Sequence, residues 1–449
     1  MELDMTQGKP VRLLLRFAVP LMALSLLQQV YTLCDSFIVG RLLGTDAFTA
    51  TASASNLNWF PLNMLLGAIH GFGVPMAQSF GSGKKEDFRS IFAGAVSLSL
   101  LLGVLFSVAG VIWAEDLLQL LHTPEQLMDH AVRYIRVLWL GFAVTAVMNV
   151  FTTALMALGD SRTPLVALVV SSAVNIALDI LFISRLRMDV EGAALATVIA
   201  QGAAAAWSFW YLLRGRNSIP RLRNFRPRWR VYRELLRMGV PQLLCNGVTT
   251  SGELIVQAAV NSWGLAFVTG LTASHRYLNL LGVVNYGLEG AIATYTGQNW
   301  GAKKYDRIER GTRSGIRIGL CASASIGAVV FIVAESMIRF LVPDAAAETV
   351  LFGTQALRVQ AVFLPALYLL CEYRAAVHGM GNAAVPMFSG FLELAMRIGC
   401  TLLLPLLLGE KGLYFTDAAA WVPTMGMLMG CYLLMRKKYL LQRPAGYRS

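Results

Sequence analysis

Long apolar stretches recur along this chain and predict helices that cross a membrane. Each stretch has about 20 residues with few charges, which is enough for a helix to span a bilayer core of about 30 Å. Leucine, alanine, valine and glycine fill the stretches without the alternation of a barrel strand, so we interpret them as helices. The twelve predicted spans cover residues 13–40, 53–80, 91–113, 134–158, 164–184, 192–213, 238–262, 266–296, 314–341, 355–379, 384–408 and 415–435.

The chain contains two copies of one unit. Three motifs return in the same order and at a nearly constant interval: LLRFAVP (Leu14–Pro20) as LLRMGVP (Leu235–Pro241), QSFGSGKKEDF (Gln78–Phe88) as QNWGAKKYDRI (Gln298–Ile308), and a Gly-Asp-x-x-x-Pro turn (Gly159–Pro164) as Gly-Asn-x-x-x-Pro (Gly381–Pro386). The predicted spans fall six and six around this repeat, a pattern that is typical of transporters built from internal repeats.

These two patterns predict an all-α integral membrane protein with two lobes. The N-terminal six-helix lobe covers 1–213, a basic linker covers 214–234, and the C-terminal six-helix lobe covers 235–449. Because each copy has an even number of spans, the two bundles are parallel repeats with the same topology. In such a chain we expect the substrate in the cleft between the repeats, near mid-membrane, with the lobes moving to give alternating access.

Basic residues occupy alternate loops, and this asymmetry predicts how the chain is oriented. The net charge is +12, although only 14% of the residues are charged, against about 25% in soluble proteins. Between residues 214 and 233 the linker carries eight arginines and no acid, whereas acids such as Glu115 and Asp189 occupy the opposite loops. The positive-inside rule therefore places both termini in the cytoplasm. Orientation accounts for the charge, so we expect no nucleic-acid partner.

The first copy carries carboxyl groups within its predicted spans. Asp35 lies deep in the first span, and Gln28 and Tyr31 precede it by seven and four residues, on the same helix face. In the fifth span Asn175 and Asp179 share one face, because they are four residues apart. A charge at membrane depth costs about 2.5–3.5 kcal/mol even on a mild scale, so each needs a reason.

Two explanations for these buried acids remain open. They are either a structural cluster with satisfied hydrogen bonds or a site that handles a proton or a cation, and we favour the second. In the sixth span Thr197 and Gln201 share a face, and Asn56 and Asn63 flank Pro61 in the second span. Hydrogen bonds between helices are an alternative role for these amides.

The second copy is charged differently, because its spans carry bases as well as acids. Internal ion pairs are therefore the simplest role for most of these residues, which include Arg374, Glu393 and Arg397. Glu253 in the seventh span is the strongest candidate for function, because no opposite charge lies close to it in sequence. The tenth span adds a further acid, Glu372.

Motifs for other chemistry are missing from the sequence. The chain has no GxxxxGK[ST] nucleotide cradle, no G-x-S-x-G and no H-E-x-x-H. A membrane enzyme or receptor would require a catalytic or soluble site that the sequence does not contain. We therefore expect a secondary transporter driven by an ion gradient, with no enzyme activity, no cofactor and no bound structural metal.

At this point the chain resembles the MATE family, the multidrug and toxic compound extrusion transporters. Asp35, the two repeated loops, the two Gly-Asp/Asn turns and the segments NIALDILFI (Asn175–Ile183) and GAALATVIAQ (Gly192–Gln201) carry the resemblance, which covers nearly the whole chain. The family implies twelve helices in two bundles that form a V, and antiport of organic cations against protons or sodium.

The resemblance also assigns roles to individual residues. Asp35, Asn175, Asp179 and Thr197 match the first-lobe cation site of the prokaryotic branch, so a coupling proton or Na⁺ is expected there. Glu253 resembles the seventh-span acid of the branch with a second-lobe sodium site. That branch also has a tenth-span Asp, and here the nearest acid is Glu372, about one turn closer to the Gly-x-Gly turn. The remaining candidates, for the substrate cleft, are Gln28, Tyr31, Asn56, Asn63 and Gln201.

The expected function is multidrug efflux across a bacterial inner membrane. Its partners would be amphipathic organic cations and membrane lipids, and we expect the protein to be a monomer. An apolar cleft would accept the flat body of the substrate, while carboxylates attract its charge. Because proton and cation compete for the same carboxylates, each ligand can favour a different opening of the cleft. The alternative within transport is a lipid-linked saccharide flippase or exporter of the same superfamily, which would require a basic cavity.

Overall fold

The protein is built from helices throughout its described part. The computed structural model describes residues 3–121, 123–214 and 228–440, and these contain no strand. The helices are α1 Pro10–Leu43, α2 Thr45–Gly81, α3 Lys85–Leu120, α4 Glu125–Leu140, α5 Phe142–Ala157, α6 Arg162–Asp179, α7 Val190–Arg214, α8 Trp229–Asn261, α9 Leu265–Gly301, α10 Tyr305–Leu341, α11 Ala347–Gly379, α12 Ala384–Leu408 and α13 Thr416–Met435.

Three shorter helical turns extend these elements. A π-helix at Ile180–Arg185 continues α6, a 3₁₀ helix at Gly409–Phe415 joins α12 to α13, and a second π-helix at Arg436–Leu440 continues α13. Helices α4 and α5 form one span that bends by 47° across Gly141. Counted this way, the described part of the chain has the twelve long helices that the sequence predicts, so the all-α fold with twelve helices is confirmed.

The bend at Gly141 has a packing cause. A Cβ atom at this position would overlap Cγ2 of Val198 and lie 3.0 Å from its Cγ1, so α7 approaches the backbone where the two helices meet. Only glycine leaves room for that approach. The bend places α4 and α5 against different parts of α7, which also carries Thr197.

Hydropathy alone identifies fewer spans than the structure shows. In the described ranges, eight helical runs are long and apolar enough to cross a membrane, or nine when the bent pair counts as one span. One of these runs, Ala384–Tyr439, contains both α12 and α13. Helices α8 and α9 are not apolar enough to be counted, because both carry polar and charged residues along their length, among them Glu253 and Arg276.

The helices pack into two compact units. Unit 1 comprises Met1–Asp4 and Ala23–Leu243, and unit 2 comprises Met5–Met22 and Leu244–Ser449. These units follow the two predicted lobes except in α1 and α8, whose first halves belong to the other unit. Residues 215–227 of the predicted linker lie outside the described residues, so the linker and its place at the lobe boundary stay a prediction.

The exchanged helix halves are held by glycine contacts. In unit 1, a Cβ on Gly71 of α2 would lie 2.6 Å from the carbonyl oxygen of Met238 in α8. In unit 2, a Cβ on Gly287 of α9 would lie 2.8 Å from the carbonyl oxygen of Ala18 in α1. Backbone therefore meets backbone at both places, and a larger residue would separate the helices.

The repeat that the sequence shows is also visible in the helix boundaries and in the turns. Helices α2 and α9 begin at Thr45 and Leu265, and α6 and α12 begin at Arg162 and Ala384, so both pairs of helices are separated by nearly the same interval. Asp160 caps α6 by accepting hydrogen bonds from the backbone N–H groups of Arg162 and Thr163, at 3.0 and 3.1 Å. Asn382 does the same for Val385 at the start of α12, at 3.2 Å.

Candidate functional site

Asp35 and Asp179 meet inside unit 1. Asp35 lies in the second half of α1, and Asp179 is the last residue of α6 before the π-helical turn. The two carboxyl groups lie within hydrogen-bonding reach of each other. The π-turn begins one residue after Asp179, and such turns are frequent at functional sites because they re-aim the side chains next to them.

The polar stripe on α6 faces inward, as its spacing predicts. Ser171, Asn175 and Asp179 are all buried, and the last two are 0% exposed. The Asn175 amide donates a hydrogen bond to the Thr197 hydroxyl of α7 at 3.4 Å. The Thr197 hydroxyl also lies within hydrogen-bonding reach of Tyr31 of α1. The structure therefore brings the four predicted cation-site residues together, with Tyr31 beside them.

Four acceptor oxygens of this cluster lack donors. Both carboxylate oxygens of Asp179, Oδ1 of Asp35 and Oδ1 of Asn175 are buried without a hydrogen-bond partner. Of the residues that the structure describes, no Lys, Arg or His pairs with either carboxyl group. A buried acceptor without a donor is costly, and two ionised carboxylates side by side repel each other. The arrangement is therefore suited to hold a proton between the acids, or a hard cation among the oxygens.

Tyr134 is a member of this cluster that the sequence analysis missed. It lies buried in α4, within range of the charges of both Asp35 and Asp179, and its hydroxyl lies within hydrogen-bonding reach of Ser55 of α2. Tyr134 stands at the first residue of a predicted span, where a tyrosine is ordinarily an interface anchor. The helix begins nine residues earlier, at Glu125, which moves Tyr134 into the bundle.

The residues predicted for the substrate cleft lie on α1, α2 and α7, and Tyr31 of this set lies beside the cation-site residues. Gln201 accepts a hydrogen bond from the Thr145 hydroxyl at 2.5 Å, which is a contact between α7 and α5. Gln28 and Asn56 are exposed, and Asn63 is half-buried. Their role in a cleft stays a prediction.

Unit 2 contains a buried network of opposite charges. Arg374 of α11 is paired with Glu393 of α12, and Arg397 of α12 is paired with Asp417 of α13 at 3.3 Å. Arg397 also donates to the Thr249 carbonyl oxygen of α8 at 3.2 Å. The expected ion pairs are therefore present, with partners on neighbouring helices.

The two acids proposed for a second-lobe cation site have different surroundings. Glu253 lies in the field of Arg397, Asp417 and Glu393. Although no base is near it in sequence, the fold supplies one. Glu372 is 0% exposed, both its oxygens lack partners, and it packs against Gly319 of α10. No charge interaction joins Glu253 to Glu372 in the described part of the chain, so the second-lobe site stays a prediction without a shared geometry.

Comparison with known proteins decides the family. The sequence model of the MatE family matches residues 20–181 and 241–401, one match in each copy of the repeat. The chain belongs to the MatE family. The resemblance first found in the motifs is confirmed by this match.

Individual relatives support the assignment over almost the full length. The chain is 29% identical over 416 residues to the probable multidrug resistance protein YpnP of Bacillus subtilis, which covers 91% of this chain and 92% of the relative. It is 23% identical to the probable multidrug resistance protein NorM of Thermotoga maritima, over 85% of this chain and 82% of that protein.

Solved structures of MATE transporters have the same fold as this chain. A crystal structure of MATE in a bent conformation superposes with a TM-score of 0.88 at 22% identity, covering 97% of both chains. An outward-facing multidrug resistance MATE transporter of the MOP superfamily gives a TM-score of 0.87 at 22% identity, covering 98% of both chains. The two-lobe transporter fold therefore holds for this chain, which is a multi-pass membrane protein whose relatives are transporters.

Proposed function

We propose that this MatE protein is a secondary antiporter that exports amphipathic organic cations across a bacterial plasma membrane. The acidic site of unit 1 carries the proposal, because Asp35 and Asp179 lie together without a base. Such a site attracts cations and repels anions. The names of the relatives, which are multidrug resistance proteins, point to the same class of activity.

Asp35 and Asp179 are the proposed coupling residues. Two carboxyl groups in hydrogen-bonding reach share one proton readily, because like charges resist ionising together. Binding of a proton supplies the donor that the Asp179 oxygens lack. Na⁺ is the alternative coupling ion, and Asn175 and Thr197 would complete its oxygen ligands. We favour the proton, because the two acids already face each other.

Antiport follows from competition at this site. A cationic substrate stabilises the ionised carboxylates, and a proton stabilises their neutral form. If the two forms favour different openings of the transporter, each ligand drives the change that releases the other. No cofactor is required beyond the coupling ion.

The remaining parts of the proposal concern the membrane. The basic loops favour a cytoplasmic position for both termini, and the exposed apolar side chains of α3 and α10 would contact lipid. We propose that the protein acts as a monomer, with small cationic amphiphiles and lipids as its partners and without nucleic acid.

Dye transport in proteoliposomes tests the function. Purified protein is reconstituted with a cationic dye, and a pH gradient or a sodium gradient is imposed separately. Gradient-driven dye movement is expected with the pH gradient, and Asp35→Asn should reduce it to background. Asp46→Asn, which removes an exposed acid from the first turn of α2, is the matched control and should transport normally.

Three outcomes would change the proposal. Movement driven only by sodium would replace the proton as coupling ion. Unchanged transport by Asp35→Asn would move coupling elsewhere, with Glu253 as the next candidate. If the protein moves no dye but restores export of a lipid-linked saccharide, the flippase alternative is correct.

A further inference from the structure

Helix α9 carries an exposed polar stripe in unit 2. Thr272, Arg276 and Asn279 are spaced by four and three residues, so they share one helix face, and all three are exposed. None of their side chains makes a hydrogen bond or an ion pair with any residue in the described ranges. The stripe therefore offers a guanidinium, an amide and a hydroxyl that are free to bind something else.

Arg276 falls within the span that the sequence predicts at 266–296. Helix α9 begins at Leu265 and ends at Gly301, which puts Arg276 about 16 Å along the axis from its start and about 38 Å from its end. A guanidinium in hydrocarbon is costly, and such groups face a water-filled cavity or a partner of opposite charge. Since no acid of the described chain pairs with Arg276, its face must meet water or an anion.

The exposed face of α3 differs from this stripe. On α3 the most exposed large side chains are apolar, including Leu101, Leu105 and Ile112, as expected for contact with lipid. Arg317 of α10 is also exposed and unpaired in the described ranges, but it continues a basic row with Arg313 towards the helix end. There it can reach the membrane surface. Arg276 belongs to no such row.

The internal repeat shows which position Arg276 occupies. Helices α2 and α9 both have 37 residues, and aligning Thr45 with Leu265 at their starts pairs Asn56 with Arg276 and Trp59 with Asn279. These four residues are exposed in their own units. Packing does not constrain the side chain at an exposed position. The two copies therefore differ in chemistry here, with a neutral amide at Asn56 and a cation at Arg276.

We propose that Arg276, with Thr272 and Asn279, binds an acidic group of the transported molecule. The inference rests on the proposed export function and extends its substrate class to amphiphiles that carry both a cationic and an anionic group. Arginine suits this role because its planar fork holds a carboxylate, sulfonate or phosphate by two parallel hydrogen bonds. A lipid phosphate presents the same chemistry, and the test below separates the two sources.

A matched pair of dyes tests the proposal. The probes are a cationic xanthene dye as its ethyl ester and the same dye as its free carboxylic acid, which differ in one negative charge. Arg276→Gln should weaken binding and transport of the acid about tenfold, equivalent to about 1.4 kcal/mol, and leave the ester unchanged within about twofold. Arg276→Lys, which keeps the charge without the fork, should recover part of the loss. Arg317→Gln is the control and should leave the acid-to-ester ratio unchanged.

Two further measurements separate the alternatives. Equal loss of both dyes with Arg276→Gln, seen only in vesicles containing anionic lipid, would assign Arg276 to a lipid headgroup and overturn the proposal. Equilibrium binding of the two dyes to purified protein in neutral detergent does not depend on transport. If the wild type binds the acid through Arg276 but moves neither dye, the export function fails while this binding site stands. If Arg276→Gln binds the acid as well as the wild type does, the proposal is wrong.

Discussion

The contact between Gly319 and Glu372 gives a sharp prediction about packing in unit 2. A Cβ on Gly319 would overlap Oε1 of Glu372 and lie 2.6 Å from its Cδ. Because Glu372 is 0% exposed, its carboxyl group has no solvent to retreat into. Overpacking of this kind costs about 1–3 kcal/mol, so Gly319→Ala should lower the thermal midpoint of the purified protein in detergent.

Gly319→Ala should have the opposite effect on the thermal midpoint when the Glu372 side chain is shortened. In a Glu372→Ala background the overlap disappears, and alanine is favoured over glycine inside a helix by about 0.8–1 kcal/mol. Gly319→Ala should then raise the midpoint. A Cβ atom on Gly426 of α13 would have no neighbouring atom within 4 Å. Gly426→Ala should therefore raise the thermal midpoint both in the wild type and in the Glu372→Ala variant. If Gly319→Ala changes stability equally in both backgrounds, Glu372 does not pack on this glycine and the reasoning is refuted.

Two matched pairs of substitutions test the turns and the ion pairs, and all four are measured by the thermal midpoint. Gly159→Ala should cost more than Gly83→Ala: both glycines have positive φ (80° and 73°), but only at Gly159 would a Cβ also overlap the backbone of Leu3. Equal losses at the two positions would remove the steric part of this explanation. Arg397→Met should cost up to about 3–5 kcal/mol because it leaves Asp417, whose side chain is only 13% exposed, without its ion pair. Arg339→Met breaks an exposed pair and should cost about 1 kcal/mol or less. A small loss at Arg397 would indicate that its acid partner is already neutral.

Local patterns allowed much of the first site to be predicted. The four-residue spacing of Asn175 and Asp179 fixes their common face, because a helix repeats every 3.6 residues. Asp35 could be predicted to find a polar neighbour, because lipid offers none. The residue that escaped was Tyr134, whose membership depends on where α4 begins and how far it bends. Neither property is encoded in the spacing of polar residues.

Partner choice in the second copy could not be predicted from the sequence. Arg374 lies two residues from Glu372 along the chain, yet it pairs with Glu393 on the next helix. Arg397 likewise reaches Asp417, not the nearer Glu393. Glu372 and Arg374 are two residues apart and point in different directions, whereas Glu393 and Arg397 are four apart and share a helix face. Which partner each arginine takes therefore depends on the rotation and register of the neighbouring helices. The same limits explain why Glu253 and Glu372, each a plausible ligand in sequence, have different surroundings.

The placement of the first half of α1 in unit 2 has a consequence for biosynthesis. Met5–Met22 leave the ribosome well before α9, on which they pack, because α9 is complete only when Gly301 has been added. At about 5–20 residues per second, this helix half waits roughly 15–55 s for its partner to be made. The first half of α8 does not wait, because α2 to α7 are complete before it emerges. A nascent chain stopped at residue 213 would therefore lack α9, and the first half of α1 would have no packing partner.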